Sequence, residues 1–216
     1  MNGLQAVYGF LLRVLRDILA RATRLTLVCH GATPAVRTGA FPADEALEPG
    51  EAQNLQAIAG HLRRAHHVLT SPALRARQTA DALGLESVVD AALADIDYGK
   101  WAGRTLAAVH EAHPDDVTDW MNNPASAPHG GESIHDFLVR IADWMSAHMH
   151  DGGHTVVVTH ASVIRAAVLS VLQAPDSAFW RIDVEPRSCT EMSSDGRRWM
   201  LRAAACVPSR PTGILP

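Results

Sequence analysis

The chain is short of cysteine, has no unbroken apolar run long enough for a bilayer and carries no excess of positive charge. Each shortage removes a class of protein. Cys29, Cys189 and Cys206 are three cysteines in 216 residues, an odd number at wide spacing. Neither a disulfide framework nor a Cys-x-x-Cys zinc site is indicated, and a reducing cytoplasm is the expected compartment. The formal net charge of -4 gives no basic field for nucleic acid, so any bound anion must be held by local cations, and small phosphorylated compounds fit better than a polymer. Trp101, Trp120, Trp144, Trp180 and Trp199 are dispersed rather than set in a base-stacking run and read as core or pocket-wall residues. Internal repeats, low-complexity tracts and domain linkers are also missing. What is present is enough apolar material, 47% of residues, for one substantial core.

The apolar run 6–12 is followed at once by Arg13, Arg16 and Asp17 and is too short to span a membrane. Leu4, Val7, Leu11, Val14, Leu15, Ile18 and Leu19 recur at helical spacing, which predicts an amphipathic helix over 1–22. Such a helix can cover a sheet edge, pair with a second copy in a homodimer or lie on a membrane surface, and spacing alone does not choose.

Leu25-Thr26-Leu27-Val28-Cys29-His30-Gly31 reads as a buried strand that brings a histidine and a glycine to its carboxyl end, where open α/β sheets place their chemistry. Thr155-Val156-Val157-Val158-Thr159-His160-Ala161 repeats the pattern. Two strands ending in histidine predict two imidazoles at one crevice and point to phosphoryl transfer through a phosphohistidine. Around them, the periodicity predicts helices over 50–64, 72–83, 106–121, 132–149 and 161–172, and strands over 67–70, 181–190 and 199–206. Segments 34–49 and 122–131 read as loops, and 93–103 as extended and turn-rich. Domain 23–207 is therefore expected to be an α/β fold, a three-layer α/β/α sandwich with a mostly parallel sheet, followed by a frayed tail at 208–216.

Cys29-His30-Gly31, Ser71-Pro72-Ala73-Leu74-Arg75-Ala76-Arg77-Gln78-Thr79, the segment from Leu93 to Gly103, Gly130-Gly131-Glu132-Ser133 and Thr159-His160 stand in an order that resembles the histidine phosphatase superfamily. That group includes the cofactor-dependent phosphoglycerate mutases and many phosphatases. The resemblance implies a phosphoglycerate mutase-like fold and a phosphomonoesterase. It makes His30 the nucleophile, Arg75 and His160 phosphate clamps, and Asp95 the proton donor, with Asp97 behind it. Gly31 would give the phosphate close approach to the backbone, and Glu132 would line the pocket or cap a helix. No metal or other cofactor is implied. The short span from Trp101 to Gly131 favours phosphatase over mutase.

Position 29 departs from the pattern, because the family's Arg-His-Gly supplies an arginine there. Val36 likewise stands where some members have asparagine. Arg37 follows it, and it either swings its guanidinium into the place vacated at Cys29 or faces solvent. With that arginine lost, a low-activity or non-catalytic phospho-ligand-binding protein is the alternative reading. Cys29 itself fails as a nucleophile on spacing, since cysteine phosphatases use a Cys-x5-Arg loop and Arg37 comes eight positions on. The cluster His148, His150, His154 with Asp151, and the pair His66 and His67, read as exposed loop and helix-end residues rather than metal ligands.

Overall fold

The computed structural model describes residues 22–62 and 65–206. The segments expected to form the amino-terminal helix and the frayed tail lie outside the described residues. Six strands form one sheet: β1 (Thr23–Cys29), β2 (His67–Thr70), β3 (Val88–Val89), β4 (Gly153–Thr159), β5 (Cys189–Ser194) and β6 (Trp199–Cys206). Their order is β3-β2-β4-β1-β5-β6. β1 to β4 are mutually parallel, and β5 runs antiparallel to both its neighbours, β1 and β6.

Seven α-helices are defined among the described residues: α1 (Pro34–Thr38), α2 (Glu51–Gln56), α3 (Leu74–Ala82), α4 (Leu106–Ala112), α5 (Pro114–Asn122), α6 (Ile134–Ala147) and α7 (Ala161–Leu172). Alternate residues of the central strands pack into two separate cores. Leu25, Leu27, Cys29 and Val157 meet Val117, Phe137, Ile141 and Ile164 of α5 to α7. Val28, Val156 and Val158 meet Leu55, Ala76 and Ala80 of α2 and α3. Apolar residues on both faces of these strands require a helical layer on each side.

The register explains where the chemistry falls. Cys29 on β1 pairs with Thr159 on β4, and Thr70 on β2 with Val158. Ser71, His160 and His30 therefore leave three adjacent parallel strands at nearly the same level. The ladder continues through His30 N–H to Thr159 O at 2.9 Å and Ser71 N–H to Val158 O at 3.0 Å.

Several predicted elements take a different form. The region 34–49 contains α1, which has a Thr33 cap and proline in its first turn. The expected helix over 50–64 is the short α2 followed by a 3-10 turn, Ala59–His61. One helix over 106–121 is two, because Pro114 lacks the N–H that would continue α4 and instead opens α5. The strand expected over 181–190 begins only at Cys189, after a 3-10 segment at Asp176–Arg181. The helix expected from residue 72 also starts later: α3 begins at Leu74, whose N–H is capped from a distant loop by Asp44 Oδ1 at 2.7 Å. Among the described residues no helix is long and apolar enough to cross a membrane.

Candidate active site

A cavity of about 150 Å³ at the carboxyl edge of β1, β2 and β4 is lined by His30, Arg75, Asp95 and His160, with Tyr98, Ser162, Arg165 and Glu45 beside them. Its remaining wall, Thr33, Ala35, Val36, Ala40, Pro42 and Ala161, is made mainly of small apolar side chains. The two histidine rings stand edge to face with centroids 5.2 Å apart.

His30 Nδ1 lies 2.7 Å from the carbonyl of Gly31. A carbonyl only accepts, so Nδ1 carries the proton and Nε2 keeps its lone pair for attack. Burial lowers the pKa of His30, and the Arg75 guanidinium lowers it further, so the ring is neutral at pH 7. Both conditions suit a nitrogen nucleophile.

His160 is fully buried, and its Nε2 is 2.7 Å from Ser71 Oγ. Its Nδ1 faces Asp95 Oδ2 at 3.4 Å, close enough for attraction but without a hydrogen bond. With a carboxylate on that side the proton belongs on Nδ1, and the Ser71 hydroxyl donates to Nε2. Burial, aided by His30 and Arg75 and opposed by Asp95, depresses His160 to about 3. It therefore acts as a neutral N–H donor rather than as a cation.

Arg75 is 2% exposed. It donates from Nη2 to Asp95 Oδ2 at 2.8 Å and from Nη1 to Ala43 O at 2.7 Å, and its Nε is buried without a partner. Asp95 also accepts from the Ile96 N–H at 2.9 Å and from the Ser162 hydroxyl. Burial alone would raise the Asp95 carboxyl; His160, Arg75, the Ser162 hydrogen bond and His30 outweigh it and bring it to about 2. Since His160 is itself neutral at pH 7, Arg75 and Ser162 are the partners that keep Asp95 ionised there. Arg75, the cation aimed at the phosphate position by the resemblance, is thus paired with a carboxylate.

Gly31 does not line the cavity. A Cβ on it would lie 2.7 Å from the Glu51 side chain and 3.2 Å from Leu47, so the glycine makes room for packing behind the nucleophile. Its N–H donates to Thr79 Oγ1 at 3.0 Å, which ties the His-Gly corner to α3. Glu132 does not line the cavity either. It grips Arg140 with two hydrogen bonds of 2.8 and 2.7 Å, and Arg140 in turn holds the carbonyls of Ala92, Ala94 and Asp95. Asp97 caps the Gly99 N–H in a turn and is exposed.

Of the two placements open for Arg37, the structure shows the solvent-facing one, and the place vacated at Cys29 is not filled by it. Its Nε pairs with Glu48 at 2.8 Å, its side chain is 68% exposed, and it is not among the cavity residues. Cys29 is buried in the sheet core and its thiol is pushed up to about 12 by burial, with Asp95 adding to the effect. Such a thiol is not a thiolate nucleophile. Trp180 is 38% exposed and the other four tryptophans are buried; Tyr98 is the aromatic residue in the cavity wall. His148 bonds Trp144 O and His154 bonds Thr26, and no group of three or more ligand-type side chains is placed to hold a metal among the described residues.

Sequence reasoning missed Ser162, Arg140, Arg165 and the link from Ser71 to His160. Ser162 and Arg165 sit in the first turns of the helix after His160, which was the available signal; the contact of Arg140 with Asp95 spans 45 positions and left none.

The model of the histidine phosphatase superfamily (branch 1) matches residues 25–206. The chain belongs to that superfamily. A bifunctional protein of Mycobacterium tuberculosis (strain ATCC 25618 / H37Rv) is 30% identical over 187 residues, 81% of this chain and 51% of that protein. The chain thus spans about half the length of that relative. Phosphoserine phosphatase 1 of Hydrogenobacter thermophilus is 28% identical over 128 residues, 58% of this chain and 61% of its own. Among solved structures, a mycobacterial glucosyl-3-phosphoglycerate phosphatase superposes with a TM-score of 0.73 at 25% identity, covering 86% of this chain and all of that one. The six-stranded, mostly parallel sheet with its helical layers is the phosphoglycerate mutase-like fold.

Proposed function

We propose that this chain is a phosphomonoesterase that hydrolyses small phosphorylated metabolites through a phosphohistidine at His30. The observation that carries the reading is the single cavity lined by His30, with Nε2 free of the proton, together with Arg75 and His160. A tetrahedral phosphate placed there lies beside a nitrogen nucleophile, a guanidinium and a second imidazole, the residue types that position phosphate and stabilise its charge in phosphoryl transfer.

Nε2 of His30 attacks phosphorus, and the bond to the leaving oxygen breaks. Asp95 supplies the proton for that oxygen. Arg75 keeps Asp95 ionised; a phosphate that engages Arg75 draws this cation from the carboxyl and sets a dianion beside it, and both changes raise the pKa of Asp95 toward that of a usable acid. Water then attacks the phosphohistidine and returns the proton to Asp95. The sequence of steps draws on no metal or cofactor. The phosphatases among its relatives support the small-metabolite class. The three cysteines are free thiols, which supports a reducing compartment such as the cytoplasm.

One observation favours a second reading, in which the site binds phospho-ligands but turns over slowly. Position 29 holds a buried thiol where an arginine would contact the phosphate, and losing a charge-assisted contact costs about 1.5–3 kcal/mol, on the order of ten- to a hundredfold in rate. Release of p-nitrophenol from p-nitrophenyl phosphate separates the two. The phosphatase reading expects turnover that His30→Ala abolishes; equal rates for the two proteins would leave only the binding reading.

A further inference from the structure

We propose that Arg165 selects substrates whose leaving alcohol carries a carboxylate, which it binds at the cavity mouth while Arg75 and the histidines hold the phosphate; this rests on the phosphatase reading above. The cavity contains two guanidinium groups at different depths. The Arg75 side chain is 3% exposed and the Arg165 side chain 23%. Arg75, His30 and His160 already provide for the tetrahedral group, so the outer cation is left for the leaving group.

Arg165 lies one helical turn after Ala161 on α7, and a long helical side chain reaches back over the preceding turn, toward the cavity. It is held there but not neutralised. Its Nε donates to Ile182 O at 2.7 Å, and its Cζ lies 5.8 Å from the centre of the Phe179 ring. The nearest carboxylate is Asp183, 3.9 Å from Nη2 and itself 93% exposed, a pairing that solvent and salt weaken to little or nothing. Buried contacts thus fix the guanidinium's position while its charge remains available, as a planar carboxylate requires.

The rest of the cavity points the same way. The facing wall of Thr33, Ala35, Val36, Ala40 and Pro42 offers no charge. The other carboxylate of the lining, Glu45, lies 4.0 Å from Arg75, which offsets its charge. A cavity of about 150 Å³ accommodates a phosphate with a short leaving group rather than a long chain. The substrate class is a small phosphorylated hydroxy or amino acid.

The test compares pairs that differ in the carboxylate: O-phosphoserine against phosphoethanolamine, and 3-phosphoglycerate against glycerol 3-phosphate. Specificity constants are measured for the wild type, Arg165→Gln, Arg165→Lys and the surface variant Asp183→Asn. The wild type is expected to favour the carboxylate member of each pair at least tenfold, mainly through KM. Arg165→Gln should bring the ratio close to one, Arg165→Lys should keep part of it, and Asp183→Asn should raise it. A wild-type ratio near one overturns the proposal. So does an Arg165→Gln variant that slows both members equally, which would make Arg165 a structural prop for the Ile182 segment. Hydrolysis of p-nitrophenyl phosphate by the wild type is the control. Its absence would sink the phosphatase reading itself, whereas its presence without carboxylate preference sinks the role of Arg165 alone.

Discussion

Asp95 carries the tightest constraint on the chemistry, because the proposed acid is paired with the proposed phosphate clamp. Its ionised form is secured by Arg75 and by Ser162, and it can donate a proton only after phosphate has displaced it. Asp95→Asn should therefore slow hydrolysis of alkyl phosphates about 10²- to 10⁴-fold, the range for loss of a general acid. With p-nitrophenyl phosphate, whose leaving group needs little protonation, the loss should be much smaller; equal losses on both substrates would remove Asp95 from the acid role. Cys29 gives the converse prediction. A buried thiol pushed up to about 12 should leave turnover unchanged after N-ethylmaleimide treatment of the native protein, and loss of activity that tracks modification of Cys29 would revive a thiol mechanism. At this scale the strand-end histidines, Arg75 in the first turn of a helix and Asp95 in the loop after Ala91–Leu93 were legible because each sits in a short motif. The place of Arg37 stays open in the sequence because the choice between the cavity and Glu48 is decided by a contact 11 positions away across a loop.

Among the elements, the corner between β1 and α3 does most to orient the nucleophile. Thr79 Oγ1 accepts from the buried Gly31 N–H and donates to Arg75 O at 2.7 Å, so one hydroxyl joins the strand that delivers His30 to the helix that delivers Arg75. Thr79→Val keeps the shape but leaves that N–H unpaired, and should cost about 1–3 kcal/mol of stability by urea unfolding together with a loss of turnover. Thr79→Ser should retain both, and a wild-type-like valine variant would show that the corner is held by other contacts. Helix and strand periodicity revealed most elements, since the central strands are apolar on both faces and α6 has a clear apolar stripe. Breaks and caps were harder to read. The division at Pro114 replaced one long helix by two, and the cap of α3 came from Asp44, 30 positions away, rather than from the adjacent Ser71.

For the molecule as a whole, burying these groups makes stability depend on pH. His160 falls from an ordinary 6.5 to about 3 in the folded state, and Asp95 from 3.8 to about 2. In both cases the unfolded chain binds the proton more readily, so the stabilising difference is complete above the unfolded pKa and is lost as pH falls through the window to the folded one. His160 acts between about 6.5 and 3, and Asp95 between 3.8 and about 2; His30 shifts in the same direction as His160. Each buried histidine is worth up to about a factor of ten in the folding equilibrium per pH unit inside its window. The urea midpoint should therefore drop from pH 7.5 to pH 5.5, and His160→Gln should show a smaller drop; a midpoint flat over that range would contradict neutral, buried histidines. The three-layer arrangement and the meeting of two histidines at one sheet edge were readable in advance because parallel pairing of β1 and β4 leaves little freedom in register. The contacts of Arg140 and Arg165 were not, since their partners, the carbonyls of Ala92 and Ile182, lie in distant segments.

The central claim is that His30 becomes phosphorylated. Rapid quenching of the protein with ³²P-labelled substrate, followed by peptide mapping, tests it most directly. The account predicts label that is stable to alkali, labile to acid, confined to the peptide containing His30 and absent from His30→Ala. Acid-stable label, or label on any other residue, would contradict it.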